Sequence, residues 1–389
     1  MGTYISSNAN RFYAAVETGY GVPAAVVAAN RFPAVRLKAH QALQAGRRLD
    51  KTGTRTYFGT AKTSRRQSAF EVRTYLTSWN GTGQPCYGPL VQSAMGAAPQ
   101  IAQGLVLAST PSGSQLETTV AHGLAPGSAV SSGNEIRFVT SVPGATTLLV
   151  NAPFSTTLAA GATLAPAITY KLSTNPPSLT LYDYWDPTSA VSRMVTGAAV
   201  DVLGLQVNGD FHELIFSGPA ADLLDSFSFV PGTVGLTGFP VEPDLADFDY
   251  SIIPGHLGQV WLGTPAGQFF TLIEASVEIK NNIAVRNQEF GSSYPRAIAH
   301  GPRQVVSEFT LFAQDDAQTN GLYAAAKLRD TFPAMLQLGQ KQGQMMGIFL
   351  PAVTPEIPNY DDSETRLLWE FKNNVAQGTS NDEAYITFA

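Results

Sequence analysis

The stretch RRQSAFEVRTYL, residues 65–76, decides the fold, because PRQVVSEFTLFA, residues 302–313, repeats its pattern 237 residues further along the chain. In the alignment Glu71 falls on Glu308 and Val72 falls on Phe309. Apolar and polar residues alternate in both stretches, which is typical of a β-strand with one buried and one wet face. The sequence therefore predicts that one structural unit occurs twice.

The flanks of the two stretches support this interpretation. An alternating strand precedes each one, AVRLKAHQAL at 34–43 and FTLIEASVEIK at 270–280. A helix candidate follows each one, GPLVQSAMG at 88–96 and TNGLYAAAKLRDTF at 319–332. Further strands end both copies: SLTLYDYW, AVDVLGLQVNG and DFHELIFSG in the first, GQMMGIFLPAV, TRLLWEFKNN and EAYITFA in the second. We expect a mainly β protein in which each copy is a sandwich or barrel with one helix.

An insertion breaks the agreement between the copies after the first helix. Residues 101–168 are rich in Ser, Thr, Gly, Ala and Pro and contain two strand candidates of their own, at 135–142 and 146–154. The predicted organisation is a discontinuous first domain at 1–100 and 169–229, a small inserted β domain at 101–168, a linker at 230–250 and a second domain at 251–389. Because long surface insertions are tolerated, we expect residues 103–166 to be dispensable.

Composition excludes several classes of protein. The 24 Lys and Arg against 30 Asp and Glu give a net charge of -6, which disfavours tight binding of nucleic acid. The single cysteine, Cys86, rules out an internal disulfide and is best interpreted as a small buried hydrophobe. No signal peptide or membrane-length apolar run is visible, so we expect synthesis in the cytoplasm and no membrane partner.

The sequence offers little for catalysis, and we do not expect an enzyme, a cofactor or a metal. The histidines have no metal-ligand spacing; they are His40, His122, His212, His256 and His300. No nucleophile elbow and no phosphate-binding glycine loop occurs. Two acidic clusters, at 242–249 and 356–364, fit no calcium loop and are better interpreted as solvated or interface acid. The run YDYWD at 182–186 suits core packing better than sugar binding.

Two longer stretches carry a family resemblance. Residues 273–313, IEASVEIKNNIAVRNQEFGSSYPRAIAHGPRQVVSEFTLFA, and residues 207–226, VNGDFHELIFSGPAADLLDS, resemble the major tail tube proteins of siphophages, bacteriophages with long non-contractile tails. The resemblance covers nearly the whole chain outside the insertion, through diffuse patterns. It implies rings whose sheets join edge to edge into an inner barrel and which stack into a channel for the genome.

The resemblance also implies partners and a location. A duplicated chain is expected to form rings of three with pseudo-sixfold symmetry, in the tail of a virion. The implied partners are further copies of the chain, a tape measure protein, tail terminator and tail tip proteins, and DNA in transit that is not tightly bound. The alternatives are another virion β protein, such as a tail terminator or capsid decoration subunit, and a carbohydrate-binding β protein.

Charged residues suggest two functional surfaces for such a tube. Four glutamates opposite the apolar faces of their strands, Glu71, Glu274, Glu308 and Glu370, are predicted to line the channel, although Arg36, Lys38 and Arg73 lie on comparable faces. The loop at 46–66 holds seven cations and is interpreted as a solvated loop, a contact with acid on a neighbouring subunit, or a DNA contact. We predict inter-ring contacts between two sets. The basic set is Arg47, Arg48, Lys51, Arg55, Lys62, Arg65 and Arg66, and the acidic set is Glu242, Asp244, Asp247, Asp249, Asp361, Asp362 and Glu364.

Overall fold

The structure, a computed structural model, describes residues 4–44, 46, 49–57, 59, 64–186, 188–207, 210–244, 250–263, 266–363 and 365–389. The protein is mainly β, with two α-helices among these residues. Neither helix has the length and apolar character that crossing a membrane requires.

In the described part of the chain, sixteen strands and the first helix lie before residue 226. They are β1 (Ser6–Val16), β2 (Arg31–Phe32), β3 (Arg36–Gln44), β4 (Arg65–Tyr75), α1 (Gly88–Met95), β5 (Gln100–Ala102), β6 (Leu107–Ser112), β7 (Gln115–Thr118), β8 (Ala129–Ser132), β9 (Glu135–Gly144), β10 (Thr147–Val150), β11 (Ala167–Lys171), β12 (Leu179–Asp186), β13 (Val191–Ala198), β14 (Val202–Val207), β15 (Glu213–Ala220) and β16 (Asp222–Asp225).

The remaining elements follow a 3₁₀ turn at Thr233–Gly235. They are β17 (Gly258–Leu262), β18 (Gly267–Gln268), β19 (Leu272–Lys280), β20 (Ile283–Arg286), β21 (Ala297–His300), β22 (Gln304–Phe312), α2 (Ala317–Leu328), β23 (Phe332–Lys341), β24 (Gln344–Thr354), β25 (Asn359–Asp361), β26 (Leu368–Ala376) and β27 (Tyr385–Phe388).

The strand pairing of the first part recurs in the second part. One sheet of the first part has the order β3-β4-β15-β14, and its counterpart has the order β19-β22-β26-β25. The other sheet has the order β2-β1-β12-β13-β16, and its counterpart contains β18-β17-β23-β24-β27. One helix lies between equivalent strands each time, α1 after β4 and α2 after β22. We call the two sets of elements the first and second repeat.

The two repeats share one continuous sheet. Strand β14 of the first repeat pairs antiparallel with β19 of the second, from Val202 opposite Lys280 to Val207 opposite Ala275. The resulting long sheet has the order β3-β4-β15-β14-β19-β22-β26-β25. At one corner, Val353 and Thr354 of β24 pair with β26 and connect the long sheet to the second sheet of its repeat.

One face of the long sheet is buried because its strands alternate. In β19, Ala275, Val277 and Ile279 enter a core that also contains Leu205 of β14 and Val72 of β4. Residues of both helices and of the remaining sheets of both repeats complete this core. The strand alternation predicted from the sequence is therefore the alternation between this core and the opposite, polar side of the sheet.

Local signals fix both helices. Pro89 opens α1, where a missing N–H costs nothing, and Gly96 follows its end with φ of 103°, a conformation that favours glycine. Helix α2 starts after Asp316, whose carboxylate accepts a hydrogen bond of 2.7 Å from the Thr319 N–H. It ends at Leu328, four residues earlier than the sequence pattern predicts, and Arg329 caps it in the left-handed conformation.

The segment 101–168 contains a five-stranded sheet, β6-β7-β10-β9-β8, with an apolar cluster of its own. It is also packed against the second repeat. The ring centroids of Phe138 and Phe349 lie 5.2 Å apart, and the buried side chain of Gln337 accepts a hydrogen bond of 2.8 Å from the Ile136 N–H. Strand β11, which closes the segment, pairs with β5 and with β27 of the second repeat. The insertion is therefore a stabilising element of the second repeat as well as a unit in itself.

Removal of the insertion tests this dual role. Ala102 and Ala167 pair directly, so a short Gly-Ser linker can replace residues 103–166 without breaking the β5–β11 ladder. We expect the remaining chain to fold with a free energy of unfolding several kcal/mol lower, because Trp261, Met335 and Phe349 lose their cover. Denaturant unfolding monitored by circular dichroism measures the difference. Unchanged stability would show that the insertion contributes nothing to the second repeat.

Candidate functional site

The strongest candidate for a functional surface is the polar side of the long sheet, which we call the polar face. Residues that lie opposite each other in an antiparallel ladder point to the same side of the sheet. Glu370 lies opposite Thr310, which lies opposite Glu274, and Ser276 of the same strand lies opposite Glu308. Lys280 shares this side of β19 with Glu274 and lies opposite Val202. Val202 in turn lies opposite Ser217, and Ser217 lies opposite Glu71, so Glu71 is on the same side of the sheet. The polar face thus brings together the four predicted channel residues Glu71, Glu274, Glu308 and Glu370.

Basic side chains share the polar face with these acids. By strand register, the described residues place seven acidic and six basic side chains there. The acids are Glu71, Glu213, Glu274, Glu278, Glu308, Asp361 and Glu370, and the bases are Arg36, Lys38, Arg65, Arg73, Lys280 and Lys372. The face is therefore close to neutral overall, whereas four glutamates alone suggest an acidic wall. The second repeat contributes five of the acids and two of the bases, so it carries the excess negative charge.

Ion pairs hold several of these side chains. Arg36 lies 2.6 Å from Glu71, and Lys372 lies 2.8 Å from Glu370. Arg73 lies 3.5 Å from Glu71 and 3.6 Å from Glu213. The hydrogen bond from Arg36 is the main cause that lowers the pKa of Glu71 below its usual value. Pairing neutralises charge locally, so that little of the face presents a bare cation or a bare anion to a passing polyanion.

A groove of about 550 Å³ crosses the polar face at the β14–β19 junction. Tyr75 and Phe211 form one end, with ring centroids 5.2 Å apart, and Glu274, Glu308 and Lys372 form the other. The groove is open and lies over the seam between the repeats. It makes the seam a shallow depression in an otherwise continuous surface.

The two ends of the long sheet form a second candidate surface. In the described part of the chain, β3 pairs only with β4, and β25 pairs only with β26. Each end strand thus leaves one edge without a partner strand. A nine-residue edge such as that of β3 is a site for pairing with another chain. The sequence places Lys38 correctly on the strand at 34–43, but it assigns Asp361 to an acidic cluster and misses that this residue lies on the other end strand, because β25 is only three residues long.

The predicted inter-ring residues are scattered in the structure. Arg47, Arg48, Lys62, Asp247, Asp249 and Glu364 lie outside the described residues. Lys51, Arg55, Asp244 and Asp362 are exposed. Arg66 forms an ion pair of 3.1 Å with Asp222 of its own chain, and Arg65 donates a hydrogen bond of 3.2 Å to the Gln288 carbonyl. These contacts within the chain compete with any contact to a neighbouring ring.

Glu242 has a structural environment. Its carboxylate lies 2.8 Å from the Arg11 guanidinium and 2.6 Å from the Ser189 hydroxyl, and its side chain is only 12% exposed. Asp186 binds the same arginine, and both acids raise the pKa of Arg11. Glu242 therefore anchors the segment after the first repeat to β1 through Arg11. Its side chain exposes little surface that could contact a neighbouring ring.

The described residues do not support a metal site, a sugar-binding platform or a reactive cysteine. No group of three or more His, Cys, Asp or Glu side chains there can hold a metal ion. Tyr182 and Tyr184 of the YDYWD run are buried beside Tyr13, as core packing requires and an open sugar platform does not. Burial raises the pKa of the Cys86 thiol to about 12, so the thiol stays protonated at neutral pH.

Charge reversal on the polar face provides a test of its near-neutral design. We expect Glu274→Lys, Glu308→Lys and Glu370→Lys together to raise affinity for double-stranded DNA by about tenfold or more at low salt, and the gain to vanish as salt is raised. Electrophoretic mobility shift measures it. The matched control reverses three acids on loops, Asp315, Asp330 and Glu356, and equal DNA binding by both variants would show that position on the face is irrelevant.

Comparisons with known proteins add no relative to this geometry. No protein-family model matches the chain, and no curated protein is significantly similar to it in sequence.

Proposed function

We propose that this chain is a virion structural protein, the major subunit of the tube in a long non-contractile tail, and that it builds rings which stack into a channel. The observation that carries the proposal is the junction between β14 and β19, where the sheets of two equivalent repeats join edge to edge. The chain already contains, within itself, the kind of joint that a ring of such units needs.

The free ends of the long sheet support closure into a ring. An open sheet that exposes a long edge at each end invites uncontrolled pairing, and a closed barrel removes both edges. Since the same repeat lies on both sides of the internal junction, adding further copies by the same joint extends the sheet around an axis. Three copies of a two-repeat chain give the pseudo-sixfold ring that the family resemblance implies.

The polar face supports a channel for a polyanion. When the long sheets close into a barrel with their hydrophobic cores on the outside, the polar face lines the inside. Its mixed and paired charges there offer DNA neither strong attraction nor strong repulsion. Tight binding to phosphate requires clustered, unpaired cations, and the described residues of this face have their excess charge on the acidic side. The inserted segment packs on the second repeat away from the polar face, against β23 and β24.

Light scattering after size-exclusion chromatography tests the proposal on the full-length purified protein. We expect a species with three times the mass of the chain, together with larger stacked material. Trimers that never associate further would favour a tail terminator subunit. A monomer at every concentration would contradict the proposal, and a monomer retained on a glycan matrix would favour a carbohydrate-binding protein.

A further inference from the structure

The repeat geometry specifies which residues meet between two copies of the chain, an inference that rests on the proposed function. In the internal junction Gln206 lies opposite Ser276, Leu205 lies opposite Val277, and Gly204 lies opposite Glu278. The first residue of each pair is on β14, the end strand of the first repeat's part of the long sheet, and the second is on β19, the adjoining end strand of the second repeat's part. The strands at the free ends are the equivalents of these two, β25 and β3.

The ladders around each strand fix the equivalences. Glu71 and Glu308 are equivalent, and their partners on the neighbouring strands are Lys38 and Ser276. Lys38 is therefore the equivalent of Ser276.

The other end follows in the same way. Gly204 lies opposite Ile215, which lies opposite Arg73. Asn359 lies opposite Glu370, which lies opposite Thr310, the equivalent of Arg73. Asn359 is thus the equivalent of Gly204, and two residues further along Asp361 is the equivalent of Gln206.

We infer that β25 of one copy pairs antiparallel with β3 of a second copy in the register of the internal junction, with Asp361 opposite Lys38, Tyr360 opposite Ala39 and Asn359 opposite His40. Pro358 has no N–H to donate and limits the ladder at its far end. The partner surface is thus the other end of the same long sheet, and the contact joins copies head to tail.

Charge is the first reason to favour this register. It places the carboxylate of Asp361 directly opposite the ammonium group of Lys38, on the polar face, whereas the internal junction has the neutral pair Gln206 and Ser276 there. A shift of two residues in one direction puts Asp361 opposite Arg36, but it also puts Asn359 opposite Lys38 and Tyr360 opposite the larger Leu37. A shift of two in the other direction puts Asp361 opposite His40 and leaves Lys38 beyond the strand.

Burial is the second reason. Tyr360 is 55% exposed, although Leu205 at the equivalent place in the internal junction is only 3% exposed. Leu205 has β19 beside it, whereas Tyr360 has no strand on the equivalent side among the described residues. The sizes also complement each other, because the large Tyr360 faces the small Ala39, whereas the internal junction matches Leu205 with Val277. Tyr360 is already held in place by Trp369 and Tyr323, with ring centroids 5.9 and 6.3 Å away, so ordering it on pairing costs little.

Disulfide trapping tests the register in the full chain. Directly opposite residues of antiparallel strands are close enough for a disulfide, and those two places further along are too far. We expect Lys38→Cys with Asp361→Cys to give covalent trimers under oxidising conditions, while His40→Cys with Asp361→Cys gives none. Gln206→Cys with Ser276→Cys is the positive control, since it links the internal junction within one chain. The thiol of Cys86 is partly buried and protonated at neutral pH, and does not compete.

Charge exchange gives a second readout. Lys38→Glu places two carboxylates opposite each other and is expected to weaken trimer formation by about tenfold. Adding Asp361→Lys restores an opposite pair and is expected to recover wild-type assembly. Failure of that rescue, or trapping only by the shifted cysteine pair in a protein that still forms trimers, would overturn the register while leaving the proposed function intact. A wild-type protein that remains monomeric would overturn both.

Discussion

Replacing Arg137 by alanine is expected to lower the free energy of unfolding by about 3–5 kcal/mol, the range for removing one partner of a buried ion pair. The guanidinium group is fully buried, 4.8 Å from the ring centroid of Trp261 and 5.1 Å from that of Phe154. Its Nε donates to the Pro153 carbonyl at 2.9 Å and one Nη donates to the Ile136 carbonyl at 2.7 Å. It also lies 3.3 Å from Glu135, which is itself buried.

The loss has two physical causes. Truncation leaves the Glu135 carboxylate without its cation in a poorly hydrated place, and it opens a void between the insertion and Trp261. Chemical unfolding monitored by tryptophan fluorescence measures the loss, because Trp261 reports on this interface. Arg137→Lys keeps the charge but not the planar stacking, and we expect an intermediate loss.

A surface ion pair provides the matched control for Arg137. Arg329 lies 3.2 Å from Glu356, and both side chains are largely exposed. Arg329→Ala should change stability by less than about 1 kcal/mol, since exposed pairs contribute little. Equal losses from Arg137→Ala and Arg329→Ala would contradict the buried role of Arg137.

Replacing Glu17 by alanine is expected to cost about 2–6 kcal/mol, from two backbone donors that lose their acceptor in a buried place. The Glu17 carboxylate, 6% exposed, accepts hydrogen bonds of 2.8 Å from the N–H groups of both Gly21 and Gly197. The hydroxyls of Ser178 and Thr180 also donate to it, at 2.6 and 2.8 Å. The hydroxyls can turn to other acceptors, whereas the two backbone groups cannot.

The stability lost on Glu17→Ala is expected to depend on pH. Burial raises the pKa of Glu17 above its ordinary value despite the four donors. The folded protein therefore holds the proton more tightly than the unfolded chain, and protonation of this group favours folding. That contribution is present at low pH and is lost as pH rises through the folded pKa. The stability difference between wild type and Glu17→Ala should widen as pH falls from about 7 toward about 5. A difference that narrows over this range would contradict the raised pKa.

The sequence predicts the central strands of the long sheet well. Strands β4, β19 and β22 have one buried and one polar face over nine or more residues, so that their alternation is unambiguous. The equivalence of Glu71 and Glu308 follows from the same alternation, since both lie on the polar face of a strand next to the first strand of a repeat. Helix α1 also lies at the first helix candidate of the sequence, residues 88–96, and ends before Gly96.

Other elements were not predictable from local pattern. Strand β25 is three residues long and follows Pro355 and Pro358, which are signals for a loop. Strand β23 is buried at seven of its ten residues, six of them consecutive, because sheet and insertion cover both of its sides, and so it lacks alternation. The acidic interpretation of the polar face used one residue from each strand and gave too little weight to cations such as Lys280 and Lys372, which only the register of neighbouring strands places on the same side.

Negative-stain electron microscopy of the purified full-length protein tests the central claim most directly. A subunit whose long sheet closes through β3 and β25 should appear as annular particles with a central hole, made of three copies, and as tubes of stacked annuli. Isolated particles of single-chain size at high protein concentration, with no annuli under any salt condition, would contradict the account.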